Sequence, residues 1–380
     1  VRRHLYTDDH EEFRRVVRSF FEKEAVPHRP EWELAGGPSR EFWRQAGDLG
    51  LLGLQVPEDY GGGGQSSFLF NAIVTEESQA AFLALGGLRV HTDICMPYFL
   101  EYATPEQRAR WLPGLVTGEY VAAIAMSEPG AGSDLRSIST RAEPVSGGYR
   151  VNGAKTFISN GVSADLVIVV VKLAGAPPKQ DISLLVVEAG MSGFSRGSNL
   201  HKIGLKSQEL SELFFEDVFV PSASLLGAEG DGFRYLMTNL AQERLSIALA
   251  CQAAAAAAVD STVAYTRQRA IFGAPLASFQ NTRFELAACS TDVAAGQALI
   301  DQALAAHDAH ELDAADAARV KLFCSEMQGR VVDRCLQLHG GYGYIWEYPI
   351  ARAYADARVS RIYGGSSEVM KIIIARSLGL

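Results

Sequence analysis

The sequence predicts an α+β fold laid out as helices, then strands, then helices, on three observations. Apolar residues recur at helical spacing from residue 7 to about 116. Between about 121 and 221, short runs rich in Val, Ile and Phe are broken by Gly, Pro and Asp, as in a small β domain. Helical periodicity returns after Gly230 and continues to Ile374. The expected units are an N-terminal helical domain over 1–118, a central β domain over 119–225 and a C-terminal helical bundle over 226–380. Segregated blocks of this kind do not make alternating βαβ units, so a Rossmann cofactor site is not expected.

Each block has its own signals. Asp8 or Asp9 can cap a first helix whose apolar face runs through Phe13, Val16, Val17 and Phe20 and which ends before Pro27. A second helix begins near Ser39, and the glycine-rich turn 61–64 separates it from a long Ala-rich helix starting near Ser66. Thr104, Pro105 and Gln107 supply an N-cap, a proline at the first position and a capping-box partner. Strands are expected at 149–151, 166–172, 182–188 and 213–220, closed by Pro221. In the last block Val320, Phe323, Met327, Val331 and Leu338 form one helical stripe, and Val369, Met370 and Ile373 another.

Composition narrows the function classes. A chain of 380 residues, 48% hydrophobic, can bury a large core. A net charge of −9 argues against a nucleic-acid partner, which would need a basic face. Cys95, Cys251, Cys289, Cys324 and Cys335 lack CxxC spacing and sit in apolar or helical contexts, so they read as reduced core thiols. The charged stretch from Arg2 to Arg18 has no signal-peptide pattern, and no apolar run is expected to reach the length of a membrane span. Together these give a cytoplasmic expectation. His307, His310, Glu311 and Asp313 have ligand chemistry at helical spacing, but a solvated helix face explains them and no metal is expected.

One helix carries an anomaly. Phe233, Leu236, Leu240, Ile247 and Cys251 lie along one side of the predicted helix, and Glu243 falls on that same side. A carboxylate there must be desolvated, paired or facing a cavity. A Glu243–Arg244 pair at the helix surface is the plain alternative.

Five further stretches suggest a ligand, each with an ordinary structural alternative. Residues 127–134, Ser-Glu-Pro-Gly-Ala-Gly-Ser-Asp, can bring backbone N–H groups to an anion or form a simple tight turn. Residues 155–161, Lys-Thr-Phe-Ile-Ser-Asn-Gly, set an aromatic ring and a hydroxyl where a flat heterocycle could lie, or end a hairpin at Asn160-Gly161. Within 267–280, Arg269 can fork onto a phosphate or serve a helix C-terminus. Residues 337–343 read Gln-Leu-His-Gly-Gly-Tyr-Gly; in 361–370 a Gly-Gly turn precedes Ser366, with Glu368 in the first turn of a helix.

With these five stretches in this order, the chain resembles the acyl-CoA dehydrogenase family over nearly its whole length. The resemblance implies an N-terminal helical domain, a central β domain, a C-terminal four-helix bundle, FAD as cofactor and a homotetramer or dimer. It assigns flavin contacts to Met126, Ser127, Gly132 and Ser133, and cover of the isoalloxazine ring to Phe157, Ile158 and Ser159. Arg269, Phe272, Gln280, Gln337, His339, Gly340 and Gly341 would hold the pyrophosphate and adenosine of a neighbouring subunit's FAD, with Ser366 and Glu368 completing the site.

One departure sets the subtype. Most members carry the catalytic Glu directly after the tyrosine that is Tyr363 here, but this chain has Gly364, which cannot take a proton. A minority resembling the isovaleryl-CoA and long-chain enzymes places the base on the earlier helix, and that position is Glu243. The resemblance then implies α,β-dehydrogenation of an acyl-CoA thioester, with long-chain acyl groups favoured. Glu243 takes the α-proton and the Gly364 N–H binds the carbonyl oxygen. Ser133, Arg244 and Tyr363 are expected to line the substrate site, with Arg244 at the CoA end or orienting the helix. Electrons would pass to an electron-transfer flavoprotein. Glu209 and Leu210 replace a common Asp-Thr pair. The alternatives are a dehydrogenase or oxidase of a carrier-protein-bound thioester, and a flavin-binding protein without turnover.

Overall fold

A computed structural model describes residues 3–380; Arg2, in the charged N-terminal stretch, lies outside them. The first helix is α1 (Asp8–Phe20). Thr7, and not Asp8 or Asp9, precedes it as the cap: its N–H donates to His10 Nδ1 at 3.2 Å. The two aspartates occupy the first turn, where the helix dipole favours negative charge. Val17 is buried while Val16 is 43% exposed, so the apolar face is narrower than expected. A π-helical turn at Phe21–Ala25 and a short helix, α2 (Arg29–Ala35), follow.

Ser39 caps α3 (Arg40–Asp48), its Oγ accepting from the Phe42 N–H at 3.3 Å. The long helix expected from Ser66 is broken. α4 (Leu69–Ala80) stops where Phe82 takes a left-handed φ of 53°. α5 (Gly86–Arg89) then runs through a π-helical turn, Val90–Cys95, into α6 (Met96–Tyr102). The capping box of α7 (Pro105–Thr117) closes as predicted, Gln107 N–H to Thr104 Oγ1 at 3.3 Å and Thr104 N–H to Gln107 Oε1 at 2.9 Å.

The strands are β1 (Ala122–Ala125), β2 (Arg141–Val145), β3 (Gly148–Ser159), β4 (Leu166–Leu173), β5 (Ile182–Glu188), β6 (Phe194–Arg196), β7 (Leu210–Pro221) and β8 (Leu225–Leu226). They form one sheet in the order β6-β7-β3-β2-β4-β5-β8, with β1 parallel beside the first half of β4. β3 pairs with β2 and β7, not β4, so Asn160-Gly161 does not close a hairpin. Asn160 instead takes φ 60° and donates through Nδ2 to the carbonyls of Gly87 at 2.9 Å and Ala122 at 3.0 Å, tying the β domain to α5.

β4 is apolar without alternation because both of its faces are covered. Ile168 and Val170 join Trp111, Leu112 and Leu115 of α7, while Val167, Val169 and Val171 join Val151, Leu213 and Phe215 inside the sheet domain.

The C-terminal unit is built on α8 (Gly232–Gln268), whose 37 residues run about 55 Å at the usual helical rise. A small ribbon, β9 (Ala270–Ile271) with β10 (Ala274–Pro275), leads to α9 (Gln280–Asp308), α10 (Ala314–His339), α11 (Pro349–Ala357) and α12 (Ser367–Ser377). By length and composition α8 is apolar enough to cross a membrane, which corrects the expectation that no run reaches that length. Its apolarity serves the core. Of its most apolar window 61% is buried, and Leu245, Ile247 and Ala248 pack against Phe68 just before α4, Ala72 within it, Ile300 and Leu304 of α9, and Val320 and Cys324 of α10. All five cysteines are free and buried.

Candidate active site

Glu243 lies midway along the buried half of α8 and is 5% exposed. The surface pair with Arg244 is not formed. Arg244 is itself 6% exposed, and its Nε has no hydrogen-bond partner among the described residues. Arg244 therefore sits inside the bundle. The hydroxyl of Tyr98, on α6, donates to Glu243 Oε1 at 3.2 Å. Burial pushes the Glu243 carboxyl up to about 7, against the opposing pull of the Tyr98 bond and the Arg244 charge. A carboxyl poised there can accept a proton at neutral pH.

The turns around Glu243 are fixed by a buried polar cluster. Asp93, in the π-helical turn, accepts from Asn71 Nδ2 at 3.0 Å, Thr92 Oγ1 at 2.8 Å and Ser246 Oγ at 2.6 Å. Its backbone carbonyl accepts from Gln242 Nε2 at 2.7 Å, and Arg89 donates to the Ser246 carbonyl at 3.3 Å. Residues on both sides of Glu243 are thus clamped to the N-terminal helices, which limits how far the carboxyl can wander.

The loop that lacks the usual carboxylate packs against the same stretch of α8. Gly364 has φ +62°, and a Cβ built there would stand 2.2 Å from Ile247 Cδ1, four residues on from Glu243. No larger side chain fits without displacing Ile247. Lys321, fully buried on α10, donates from Nζ to the Gly365 carbonyl at 2.7 Å and pins the turn. Among the described residues the Gly364 N–H has no hydrogen-bond partner, so it is free to meet a carbonyl oxygen. Tyr363 packs onto the cluster that contains Ile247 and Phe68.

In the β domain, residues 127–134 and 155–161 are joined from below. Glu128 accepts from Lys155 Nζ at 2.8 Å with both side chains buried, and also from the hydroxyl and N–H of Ser139 and the Thr140 N–H. Above them Ser127 is half-buried, and Gly132 and Ser133 are exposed. Phe157 takes φ +58° at a bulge in the β3–β7 pairing and stands 64% exposed. Ile158, expected beside it as ring cover, is 2% exposed and points into the sheet core with Val151 and Leu213. Only its backbone faces the Phe157 side, because strand side chains alternate. Ser159 Oγ accepts from Gln208 Nε2 at 3.0 Å, which leaves its own proton to donate. At the substituted pair, Glu209 accepts from the Ser163 N–H at 2.9 Å and the Leu210 N–H donates to Asn199 Oδ1 at 2.8 Å.

A second group gathers in a cleft of about 630 Å³ on the bundle, lined in part by Arg269, Gln337, His339, Gly340, Gly341 and Tyr342. The Arg269 guanidinium lies 5.3 Å from the Tyr342 ring, and His339 stacks on Tyr265 at 4.1 Å. Gln280 opens α9, and Phe272 is 94% exposed. Ser366 caps α12, with Glu368 in its first turn. These residues suit FAD: a bare aromatic face at Phe157, a cation at Arg269, and backbone at Gly132, Gly340 and Gly341 where an added Cβ would meet nothing within 4 Å. Among the candidate metal residues, His307 Nε2 bonds Gln242 Oε1 at 3.0 Å.

Tyr98, Asp93 and Lys321 escaped the sequence reading. Asp93 and Lys321 did leave a signal, each a charge directly before an apolar run, 94–99 and 322–324. Tyr98 left none, since a tyrosine on a buried helix is ordinary.

Three family models match in succession: acyl-CoA dehydrogenase N-terminal domain at 7–119, middle domain at 123–218 and C-terminal domain at 230–379. The long-chain specific acyl-CoA dehydrogenase, mitochondrial, of Rattus norvegicus is 46% identical over 99% of this chain and 88% of its own length. A crystal structure of an acyl-CoA dehydrogenase from Geobacillus kaustophilus superposes with a TM-score of 0.97 at 46% identity, covering 99% of this chain and 100% of that one. An acyl-CoA dehydrogenase complexed with FAD from Bacillus anthracis gives 0.93 at 30% identity, covering 98% and 67%.

Proposed function

The chain belongs to the acyl-CoA dehydrogenase family, FAD-dependent oxidoreductases of acyl-CoA thioesters, and from that premise we propose Glu243 as its base and long-chain acyl-CoA as its substrate. The observation that carries this reading is the desolvated carboxyl of Glu243, without an ion pair among the described residues, one turn from the Gly364 loop. Glu243 takes the α-proton, and the unpartnered Gly364 N–H donates to the thioester carbonyl, where negative charge develops as the proton leaves. FAD, when bound, accepts the hydride from the β-carbon. Burial of Glu243 keeps water from competing for the proton.

Met126, Ser127, Gly132, Ser133, Phe157, Ser159 and the backbone of Ile158 form our flavin face, and Arg269, Phe272, Gln280, Gln337, His339, Gly340, Gly341, Ser366 and Glu368 the dinucleotide face. Ser133, Tyr363 and Gly364 line the thioester site, with Arg244 orienting α8 from within. A homo-oligomer accounts for the exposure of Phe272 at 94% and Tyr344 at 90%, which a partner would cover. An electron-transfer flavoprotein takes the electrons onward. Five free, buried cysteines favour a reducing, cytoplasmic compartment.

The likeness to a long-chain-specific relative supports the chain-length assignment. Anaerobic mixing of the purified holoenzyme with straight acyl-CoA thioesters of increasing length tests it. Flavin bleaching should be fastest with the long chains; a maximum at short or branched chains overturns the long-chain part, and no bleaching with any of them overturns the CoA assignment.

A further inference from the structure

We infer that Tyr98 is a positioning residue for the base: its hydroxyl holds one oxygen of the Glu243 carboxylate and leaves the other to collect the proton. The inference rests on Glu243 being the base. Tyr98 is fully buried on α6, its ring inside the core shared with Phe99, Trp111 and Leu236. The donation to Oε1 at 3.2 Å is the hydroxyl's one hydrogen bond among the described residues. Oε2 has no protein partner among those residues. The two oxygens are thus unequal before any substrate arrives.

The asymmetry has a chemical consequence. A phenol can donate to a carboxylate more strongly than to a neutral acid, so this bond favours the ionised form in a site whose dryness disfavours it. It also stops the carboxyl rotating to offer the occupied oxygen to the α-proton. No cation does this work. Arg244 makes no ion pair with Glu243 among the described residues, while Cys95, the other titratable neighbour on the N-terminal side, is a buried thiol held well above its ordinary range by burial and by the Glu243 charge. Arg89 and Asp93 engage the next turn at Ser246, and His307 engages Gln242. Tyr98 is therefore the single side chain that hydrogen-bonds the Glu243 carboxyl among the described residues.

The test is the pH dependence of anaerobic flavin bleaching by saturating long-chain acyl-CoA, in the parent, Tyr98→Phe and Glu243→Gln holoenzymes. In Tyr98→Phe the acid limb should move up by about one pH unit, the worth of one such hydrogen bond, with the rate near pH 6.5 down about tenfold. The alkaline plateau and the acyl-CoA dissociation constant should change less than about threefold, since a more basic carboxylate still removes the proton once ionised. A role in packing alone would lower the plateau and leave the limb in place, and that result overturns the proposal. Tyr98→Leu, a second residue without a donor, should move the limb the same way and serves if the phenylalanine variant yields no holoenzyme. Glu243→Gln separates the two readings: bleaching at the parent rate in that variant removes the base itself, whereas an inactive Glu243→Gln beside an unmoved limb in Tyr98→Phe removes Tyr98 only.

Discussion

Glu128 and Glu243 are equally buried, each 5% exposed, yet their carboxyls are held in opposite directions. For Glu128, burial pushes the carboxyl up, but Lys155, Ser139 and Thr140 together donate enough to bring it down to about 2. For Glu243 burial prevails over one phenol and the charge of Arg244, and the carboxyl rises to about 7. Low exposure alone does not decide what a glutamate does. A complete donor shell makes it a fixed anion that joins two loops, and an incomplete one leaves it ready to exchange a proton.

The largest effect that would sharpen this contrast is on the reaction. Glu243→Gln should slow flavin bleaching by up to about ten thousandfold, the upper range for loss of a general base, with FAD still bound. Glu128→Gln should instead act on stability, lowering it by roughly 3–5 kcal/mol because Lys155 is left buried without its anion. Thermal melting of the holoenzyme reads this. The double variant Glu128→Gln/Lys155→Met should recover most of the loss; no recovery would mean that the pair does not act as a unit.

The two carboxyls also predict opposite pH dependences of stability. Glu243 has a raised folded-state value, so its contribution is fully present below the unfolded value near 4.5 and is lost as pH rises through about 7. Glu128 has a depressed one, so its contribution is present above about 4.5 and is lost as pH falls toward about 2. Glu243→Gln should accordingly be more stable than the parent at pH 8, by on the order of 1–3 kcal/mol, and match it near pH 4. A gain that is the same at both pH values would break the assignment of an unpaired carboxyl.

The smallest effect concerns the facing loop. Gly364→Ala forces a side chain onto a left-handed backbone against Ile247, and should cost about 1–2 kcal/mol. Ile247→Val in that background should return part of it. Equal melting temperatures for Gly364→Ala and the parent would show that the loop is looser than its packing implies.

Much of this was legible in the sequence because it depends on local pattern. The order of blocks, the capping box at Thr104 and the misplaced carboxylate of Glu243 each follow from spacing along one element. What was hidden depends on which elements meet. Tyr98 and Glu243 are 145 residues apart and meet only because α6 packs on α8. Strand alternation turns the Ile158 side chain inward between Phe157 and Ser159, so only its backbone is left on the side where a ring could lie, a distinction between side chain and backbone that the residue pattern alone does not draw. The apolar run of α8 was underestimated because Glu243, Arg244 and Gln252 punctuate it, though the helix is buried through that stretch.

The central claim, that Glu243 is the ionising base, is tested most directly by the pH profile of anaerobic flavin reduction by a long-chain acyl-CoA in the parent and in Glu243→Asp. The parent should show one ionisation near pH 7, inactive below and level above. Glu243→Asp, which keeps a carboxyl but withdraws it by a methylene, should retain a single limb with a lower plateau. A parent rate that is flat from pH 5 to 9 would contradict the account, because a residue held near 7 and required in its ionised form cannot give it.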